Sequence, residues 1–593
     1  MAATVAVDPS TPVVEAVEPE DRHIHVSWFR RSAPMLTFIG RRILSSLVVL
    51  LGATFIVYML LSYSLDFLED LLTSTDPNAP ALIEARINLL NLNTPPIGRY
   101  FMWLWQLVSG WFIPGEHALG WTWGSTFGQI PVSEQLLIAI PNTVSLVAGA
   151  TVLAILFGII VGIVSALRQY TRFDYGVTFM SFVLFSLPSF WVAVLLKVWG
   201  AIGFNDFLAN PQFSWWLILI VSLALGGLLS AIVGGLTRTR WIVFLIAAAA
   251  TAISMLVLTH TNWIHNPSLG IPGILVIGLA IAVALVALTV GLNPAERAPV
   301  DDVTEMNDDG VVEETVVTNG NGGRAGLGAW MRANRAFCAA VSTAIVGAIL
   351  YYPLQFVFVN ANWWLILGLA VVAVAVGMVI GWAWGGFDRR VSMRVAALTA
   401  ALQGVFIFID RVMQVWVFYN NAPQIRGRPI ATIGSTTPGI ATHFNYNFWF
   451  MNLDQFTHVL LPTLTLVLIS FASYTRYTRA SMLEVMNQDY IRTARAKGLP
   501  ERIVTIRHAF RNALIPLATI IPLDIAAIFG GAIITESIFG WPGMGTMFIN
   551  ALNGREVNAI MGYFLVTGTL LVIGSIVVDF IYAALDPRIR VDA

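Results

Sequence analysis

Residues able to do chemistry are sparse in this chain, and where they cluster they are basic. Between 476 and 511 stand Arg476, Arg479, Arg492, Arg495, Lys497, Arg502, Arg507 and Arg511, interspersed with Glu484, Asp489 and Glu501. Such a mixture suits docking to a charged surface rather than bond-making, since it holds no nucleophile beside a base and no pair of facing carboxylates. The lone cysteine, Cys338, excludes an internal disulfide and a Cys-cluster metal site, and reads as a small buried apolar residue. The histidines show no HxxxH-type pairing for a metal. A Gly-x4-Gly-Lys-Ser/Thr phosphate loop is absent. ATP hydrolysis is therefore not expected of this chain, and energy must come from a partner subunit or an ion gradient. No cofactor is expected.

Single charges inside apolar runs form a second group. A carboxylate at the centre of a span costs about 2.5–3.5 kcal/mol on insertion scales, so it usually faces a cavity or a partner. Asp524, close to Pro522, reads equally as a transport-pathway residue or as a helix–helix hydrogen-bonding group. Asp410 and Arg411 adjoin and are expected to pair across helices. Lys197 is expected to snorkel outward, and Asp579 to bond locally.

The elements that position these residues follow from composition. Hydrophobic residues make up 57% of the 593 and charged residues 11%, with a mean hydropathy of +0.75. Soluble domains carry about 25% charged residues. A soluble enzyme, a disordered chain and a nucleic-acid binder are excluded, leaving an all-α polytopic membrane protein. The net charge of −1 says nothing of partners. Residues 1–34 are polar, end in Arg30-Arg31 and lack a signal-peptide pattern, so they read as a cytoplasmic tail.

Twelve apolar runs are long enough to span: about 37–62, 139–166, 177–200, 214–236, 241–259, 271–291, 337–359, 363–386, 395–420, 456–478, 513–537 and 559–584. The stretch 63–138, with Trp103, Trp105, Trp111, Trp121 and Trp123, reads as an extracytoplasmic loop with interfacial tryptophans. Arg168/Arg172, Arg238/Arg240, Arg332/Arg335, Arg389/Arg390/Arg394, the 476–511 cluster and Arg588/Arg590 all fall on one side, which the positive-inside rule makes cytoplasmic together with both termini. Arg426 and Arg428 are exceptions in a long outside loop. The acidic, Gly/Asn-rich stretch 292–334 reads as a flexible cytoplasmic linker. Trp215-Trp216-Leu217-Ile218-Leu219 recurs as Trp363-Trp364-Leu365-Ile366-Leu367, a weak internal repeat.

Within the basic cluster, residues 488–497 favour a short helix that Gly498 ends and Pro500 forbids from continuing. A small helix lying on the membrane surface between two spans can be pushed by a partner and transmit the push. Charge alone favours the plainer reading, a juxtamembrane loop that only touches anionic lipid; the residue order reverses it.

The residue order adds more. Gln488-Asp489-Tyr490-Ile491-Arg492-Thr493-Ala494-Arg495-Ala496-Lys497-Gly498-Leu499 closely resembles the signature loop of the ABC importer permeases for dipeptides, oligopeptides and nickel. Ser186-Leu187-Pro188-Ser189-Phe190-Trp191, the stretch from Phe529 to Gly545, Asp579 with Tyr582 to Arg590 (ending Asp586-Pro587-Arg588-Ile589-Arg590), and the N-terminal span with Leu92-Asn93-Thr94-Pro95-Pro96 and Tyr100 resemble further motifs of that family. The resemblance covers roughly 37–200 and 456–590. It departs at the loop's start, where Arg492-Thr493-Ala494 replaces the usual Glu-Ala-Ala, a form that fits the peptide branch.

The resemblance implies a six-span permease core carrying about six inserted membrane helices. Its parts would be 1–34 as tail, 35–202 as the first core segment, 203–450 as the insertion and 451–593 as the second core segment. The 480–512 loop would couple to ATPase subunits through Glu484, Asp489, Tyr490, Arg492, Thr493, Ala494, Arg495, Ala496, Lys497, Gly498 and Leu499. Ser186, Pro188, Ser189 and Asp524 are candidate pathway residues. Implied partners are a second homologous permease, cytoplasmic ABC ATPases, an extracytoplasmic substrate-binding protein and membrane lipid, with no nucleic acid. An even number of inserted spans leaves the coupling loop on the cytoplasmic side. The cargo expected is a peptide, with nickel or another small solute as alternatives. An ion-gradient-driven twelve-span transporter is the competing class, and a membrane-embedded enzyme a third without supporting residues.

Overall fold

Every long apolar run becomes helix, and the described residues hold no strand beyond an isolated Ser125–Pro131 bridge. The computed structural model describes residues 28–109, 123–233, 237–261, 263–292, 334–386 and 389–585. Most of the N-terminal tail, the interior of the acidic linker, Trp111, Trp121 and the ending after Leu585 lie outside the described residues.

In chain order the main helices are α1 (Trp28–Ser64), α2 (Ala79–Leu90), α3 (Pro96–Ser109), α4 (Val132–Leu167), α5 (Arg172–Ser186) and α6 (Ser189–Ala209). Then come α7 (Trp215–Val233), α8 (Thr237–His260), α9 (Gly270–Leu292), α10 (Arg335–Ile349), α11 (Tyr351–Asn360), α12 (Trp363–Trp384) and α13 (Arg389–Asn420). The chain ends with α14 (Phe448–Met486), α15 (Asp489–Ala496), α16 (Arg511–Phe539), α17 (Met544–Asn553) and α18 (Val557–Leu585). Among the described residues ten helices are long and apolar enough to cross a membrane. The α10–α11 pair, bent by 49°, makes an eleventh span, and α7 contributes a shorter apolar helix. Each of the twelve predicted runs thus corresponds to helix.

Three local expectations need correction. The predicted 177–200 span is broken: α5 stops at Ser186, Leu187 is extended (φ −78°, ψ 129°) and α6 restarts at Ser189. Proline disfavours the helical region for the residue before it and has no N–H to continue a helix. The described residues of 63–138 are largely helical, with α2, α3 and a short turn at Glu69–Leu72. Trp103 is core rather than anchor, buried with Tyr58 and Tyr100, whereas Trp105 is exposed.

The chain divides into two compact units. One comprises Met1–Glu134, Thr505–Ile528 and Ala551–Ala593. In it α18 lies close against α1 and α16: a Cβ on Gly568 would meet Leu50, and one on Gly574 would stand 3.0 Å from the Pro522 carbonyl. Small residues permit such approach between apolar helices. Asp579, expected to bond locally, instead pairs with Arg42 of α1. The Tyr100 and Thr54 hydroxyls lie 3.1 Å apart, joining α3 to α1.

The other unit comprises Gln135–Val504 and Phe529–Asn550. Its axis is α14, 39 residues long. At 1.5 Å per residue that is roughly 58 Å, about twice a hydrocarbon core. Gly158 and Gly162 of α4 lie against its Tyr474 and Thr478, where added Cβ atoms would come within 2.5 and 2.6 Å. This is a Gly-xxx-Gly contact that side-chain chemistry alone did not reveal. At its other end α14 shares a core with the stretch read as an insertion. Tyr419 of α13 donates to Asp454 (2.8 Å), and the Trp449 indole donates to the Phe358 carbonyl (2.6 Å).

The same unit holds three of the intramembrane charges, Asp410, Arg411 and Lys197. Asp410 is fully buried and accepts from Leu269 N (2.6 Å), Tyr351 (2.6 Å) and Gln414 (2.8 Å), so it caps the start of α9. Arg411 bonds Gln414 on its own helix. Lys197 does not snorkel: its ammonium donates to the Ile538 carbonyl at 2.7 Å, one of the orphan carbonyls ending α16. Both Trp-Trp-Leu-Ile-Leu copies open the first helix of a hairpin. Each follows an N-cap, with Ser214 accepting from Leu217 N (3.3 Å) and Asn362 from Leu365 N (2.7 Å).

Candidate functional site

The predicted surface helix is present as α15, two turns between the end of α14 and the turn leading to α16. Ile491 and Ala494, three residues apart, are its two buried residues and seat it. Asp489, Tyr490, Arg492, Thr493, Arg495, Ala496, Lys497, Gly498 and Leu499 are exposed. Of the predicted coupling residues, Ala494 therefore faces inward, and Glu484 is exposed on the last turn of α14.

Both ends of α15 are well determined by local chemistry. Asp489 sits in the first turn, where a carboxylate complements the helix dipole, and pairs with Arg492 at 3.4 Å. At the far end Gly498 has φ +73°, its N–H reaches Arg495 O (2.9 Å), and Leu499 N reaches Ala494 O (3.4 Å). These bonds are a Schellman stop, which a residue with Cβ adopts only under strain. Arg495 then grips Glu501 through two bonds of 2.7 and 3.3 Å, fastening the helix to the following turn. That guanidinium holds the Glu501 carboxyl below the usual range.

The residue that ties α14 to its neighbours just before α15 was missed. Asp174, in the first turn of α5, is 2% exposed. It receives Arg479 Nε at 2.7 Å and Nη2 at 2.9 Å, the Ser165 hydroxyl at 2.6 Å and Tyr170 N at 3.1 Å. The Arg479 guanidinium holds the Asp174 carboxyl down at about 2, with Ser165 and Tyr170 adding to the effect against its burial. The α4–α5 turn, α5 and α14 are thereby fastened together seven residues before the last residue of α14. Arg479 was visible as one of the basic cluster, but its partner lies 305 positions away.

The Phe529–Gly545 motif also acquires a structural meaning. Glu536 is fully buried, accepting from Thr143 (2.7 Å), Gly545 N (2.6 Å) and Thr546 N (3.2 Å). Thr143 in turn accepts from Met544 N at 2.8 Å. Three N–H groups at the start of α17 thus find side-chain partners. A Cβ on Gly543 would stand 2.4 Å from Glu536 Oε1, and one on Gly545 2.4 Å from Ile533 Cα, so both must be glycine. Trp541 bonds the Asn142 carbonyl at 3.0 Å.

The candidate pathway residues are divided between the two units. Ser186 is exposed and turns its hydroxyl back to Phe182 O (2.8 Å), while Pro188 and Ser189 form the α5–α6 break. Asp524 is half-buried on α16, two residues after Pro522, in the other unit. Among the described residues no group of three or more His, Cys, Asp or Glu side chains could hold a metal.

Comparison with known proteins shows what the chain as a whole is similar to. Residues 377–591 match the family model described as binding-protein-dependent transport system inner membrane component. The oligopeptide transport system permease protein OppB of Mycobacterium tuberculosis is 37% identical over 226 residues, covering 37% of this chain and 67% of that protein. AppB of Bacillus subtilis, also an oligopeptide permease, is 43% identical over 154 residues, 26% of this chain and 48% of its own. The dipeptide permease DppB of Escherichia coli is 45% identical over 138 residues, 23% of this chain and 41% of its own. With its membrane-crossing helices and this extent of likeness, the chain belongs to the family of binding-protein-dependent transport system inner membrane components.

Proposed function

We propose that this protein is the membrane-spanning permease subunit of an ATP-driven importer that carries peptides across the cytoplasmic membrane. The observation that carries this reading is α15, a two-turn helix seated by two small contacts and otherwise presenting charge outward. A lever needs a face for the partner and a firm link to the spans it moves. Arg495–Glu501 supplies the link on one side, and Asp174–Arg479 supplies it on the other.

On this reading α15 lies in the cytoplasm and is gripped by a separate ATPase subunit, where hydrolysis occurs. Both termini are cytoplasmic, a second homologous permease completes the pathway, and a binding protein delivers peptide from outside. Glu484, Asp489, Tyr490, Arg492, Thr493, Arg495, Lys497 and Leu499 form the ATPase-facing surface, with Ala494 seating the helix and Gly498 shaping its end. Asp524, half-buried in one unit, and the Ser186–Pro188–Ser189 break in the other are each taken as a pathway candidate in its own unit. Residues 203–450 are an insertion between the third and fourth core spans, fixed to α14 by Tyr419–Asp454.

The test is purification of the tagged chain from its native membrane, with mass-spectrometric identification of what accompanies it. An ABC ATPase and a second permease are expected, and Asp489→Arg should release the ATPase while the permease partner stays. Purification without any ATPase, or an ATPase retained equally by the variant, would reject the role given to α15.

A further inference from the structure

A groove of about 340 Å³ runs beside the Asp174–Arg479 clamp, outside the machinery assigned above. Gly176 and Met180 of α5, Leu228 and Ala231 of α7 and Phe471 of α14 form its apolar walls. At one end stand Arg168 and Arg172, the two charged residues of its lining. Both are exposed, and neither makes a side-chain hydrogen bond or ion pair among the described residues. The nearby carboxylate cannot serve them, because Asp174 is already occupied by Arg479, Ser165 and Tyr170.

An apolar channel between membrane helices is filled by hydrocarbon, since water gains no partners there. Two unneutralised guanidiniums at the mouth select what accompanies that hydrocarbon. Guanidinium forks match phosphate oxygens in geometry and charge, and basic pockets between helices on the cytoplasmic side suit anionic lipid headgroups. We propose that this groove binds an anionic glycerophospholipid of the phosphatidylglycerol type, its phosphate held by Arg168 and Arg172 and an acyl chain laid along Gly176, Met180, Leu228 and Phe471. The lipid joins α7 of the insertion to α5 and α14. Its headgroup rests on the turn that carries the clamp, so the site gives the insertion a hold on the rod that bears α15.

The full-length protein in bilayer discs of equal phosphatidylcholine and phosphatidylglycerol, examined by native mass spectrometry, tests this. The wild type should retain phosphatidylglycerol over phosphatidylcholine. Arg168→Gln with Arg172→Gln should lower that preference roughly tenfold or more. Gly176→Phe is the second arm: a Cβ there meets nothing within 4 Å, so the ring enters the groove rather than the protein. It should displace the lipid with both arginines intact and the thermal unfolding profile unchanged. Equal retention of the two lipids by the wild type would overturn the site. So would undiminished phosphatidylglycerol on the Gly176→Phe protein, which would mean attraction to a basic surface without a seated chain.

Discussion

Asp174→Asn is the perturbation whose size follows most directly from the structure. The wild-type carboxylate is 2% exposed and receives four hydrogen bonds, two of them from Arg479. Its pKa is lowered from 3.8 to about 2, so folding favours the ionised form by roughly 2.5 kcal/mol at neutral pH. Asparagine keeps the shape but removes the charge and leaves Arg479 facing a neutral amide. Breaking a fully buried pair costs about 3–5 kcal/mol. The Arg479 side chain is 27% exposed, so water relieves part of the penalty. A local loss of about 2–3 kcal/mol is expected, which is on the order of a 50-fold larger open population of the α4–α5 turn and correspondingly faster amide exchange. Hydrogen exchange of the 165–174 segment, in the full protein near pH 7, reads this directly. The pH dependence has a definite sign. Because the folded pKa lies below the ordinary one, the stabilisation is complete above about pH 4 and is lost as pH falls towards 2, where wild type and variant should converge. Pairing the variant with Arg479→Gln should give much less than the sum of the two effects. Exchange at neutral pH within about threefold of wild type, or additive losses in the double variant, would refute the argument.

Three further outcomes are expected. Gly498→Pro removes the N–H that bonds Arg495 O and cannot adopt φ +73°, and Asp489→Arg reverses the charge of the first turn of α15. Both should abolish uptake by reconstituted vesicles at unchanged levels of inserted protein, and normal uptake in both would reject the lever. Glu536→Ala leaves Gly545 N, Thr546 N and Thr143 without their acceptor, at a cost of about 3 kcal/mol or more, with Glu536→Gln milder. Limited proteolysis of the 536–553 region should separate the three proteins. Because the lone Cys338 is buried, Tyr490→Cys provides a clean label: a membrane-impermeant maleimide should reach it in inside-out vesicles and not in right-side-out ones.

Much of the architecture was legible because its causes are local. A run of some twenty apolar residues must become helix in a bilayer, where each backbone N–H and C=O needs a partner from its own segment. The end of α15 was equally legible, since Gly498 and Pro500 act on their own backbone. Position in the chain misled where tertiary neighbours took over. Lys197 reached a helix end instead of the interface, Asp579 found Arg42, and Trp103 entered a core. The Leu187–Pro188 break was readable from the proline, yet continuous hydropathy concealed it.

By itself the sequence determined the helical membrane class, the approximate spans, the surface helix between α14 and α16 and the family it resembles, because periodicity, capping and hydropathy act over a few residues. Only the tertiary structure decided which groups meet. Asp174 with Arg479, Glu536 with Thr143 and Tyr419 with Asp454 are 305, 393 and 35 positions apart. A buried polar group is satisfied by whatever packing brings within about 3 Å, and no spacing rule along the chain encodes that encounter.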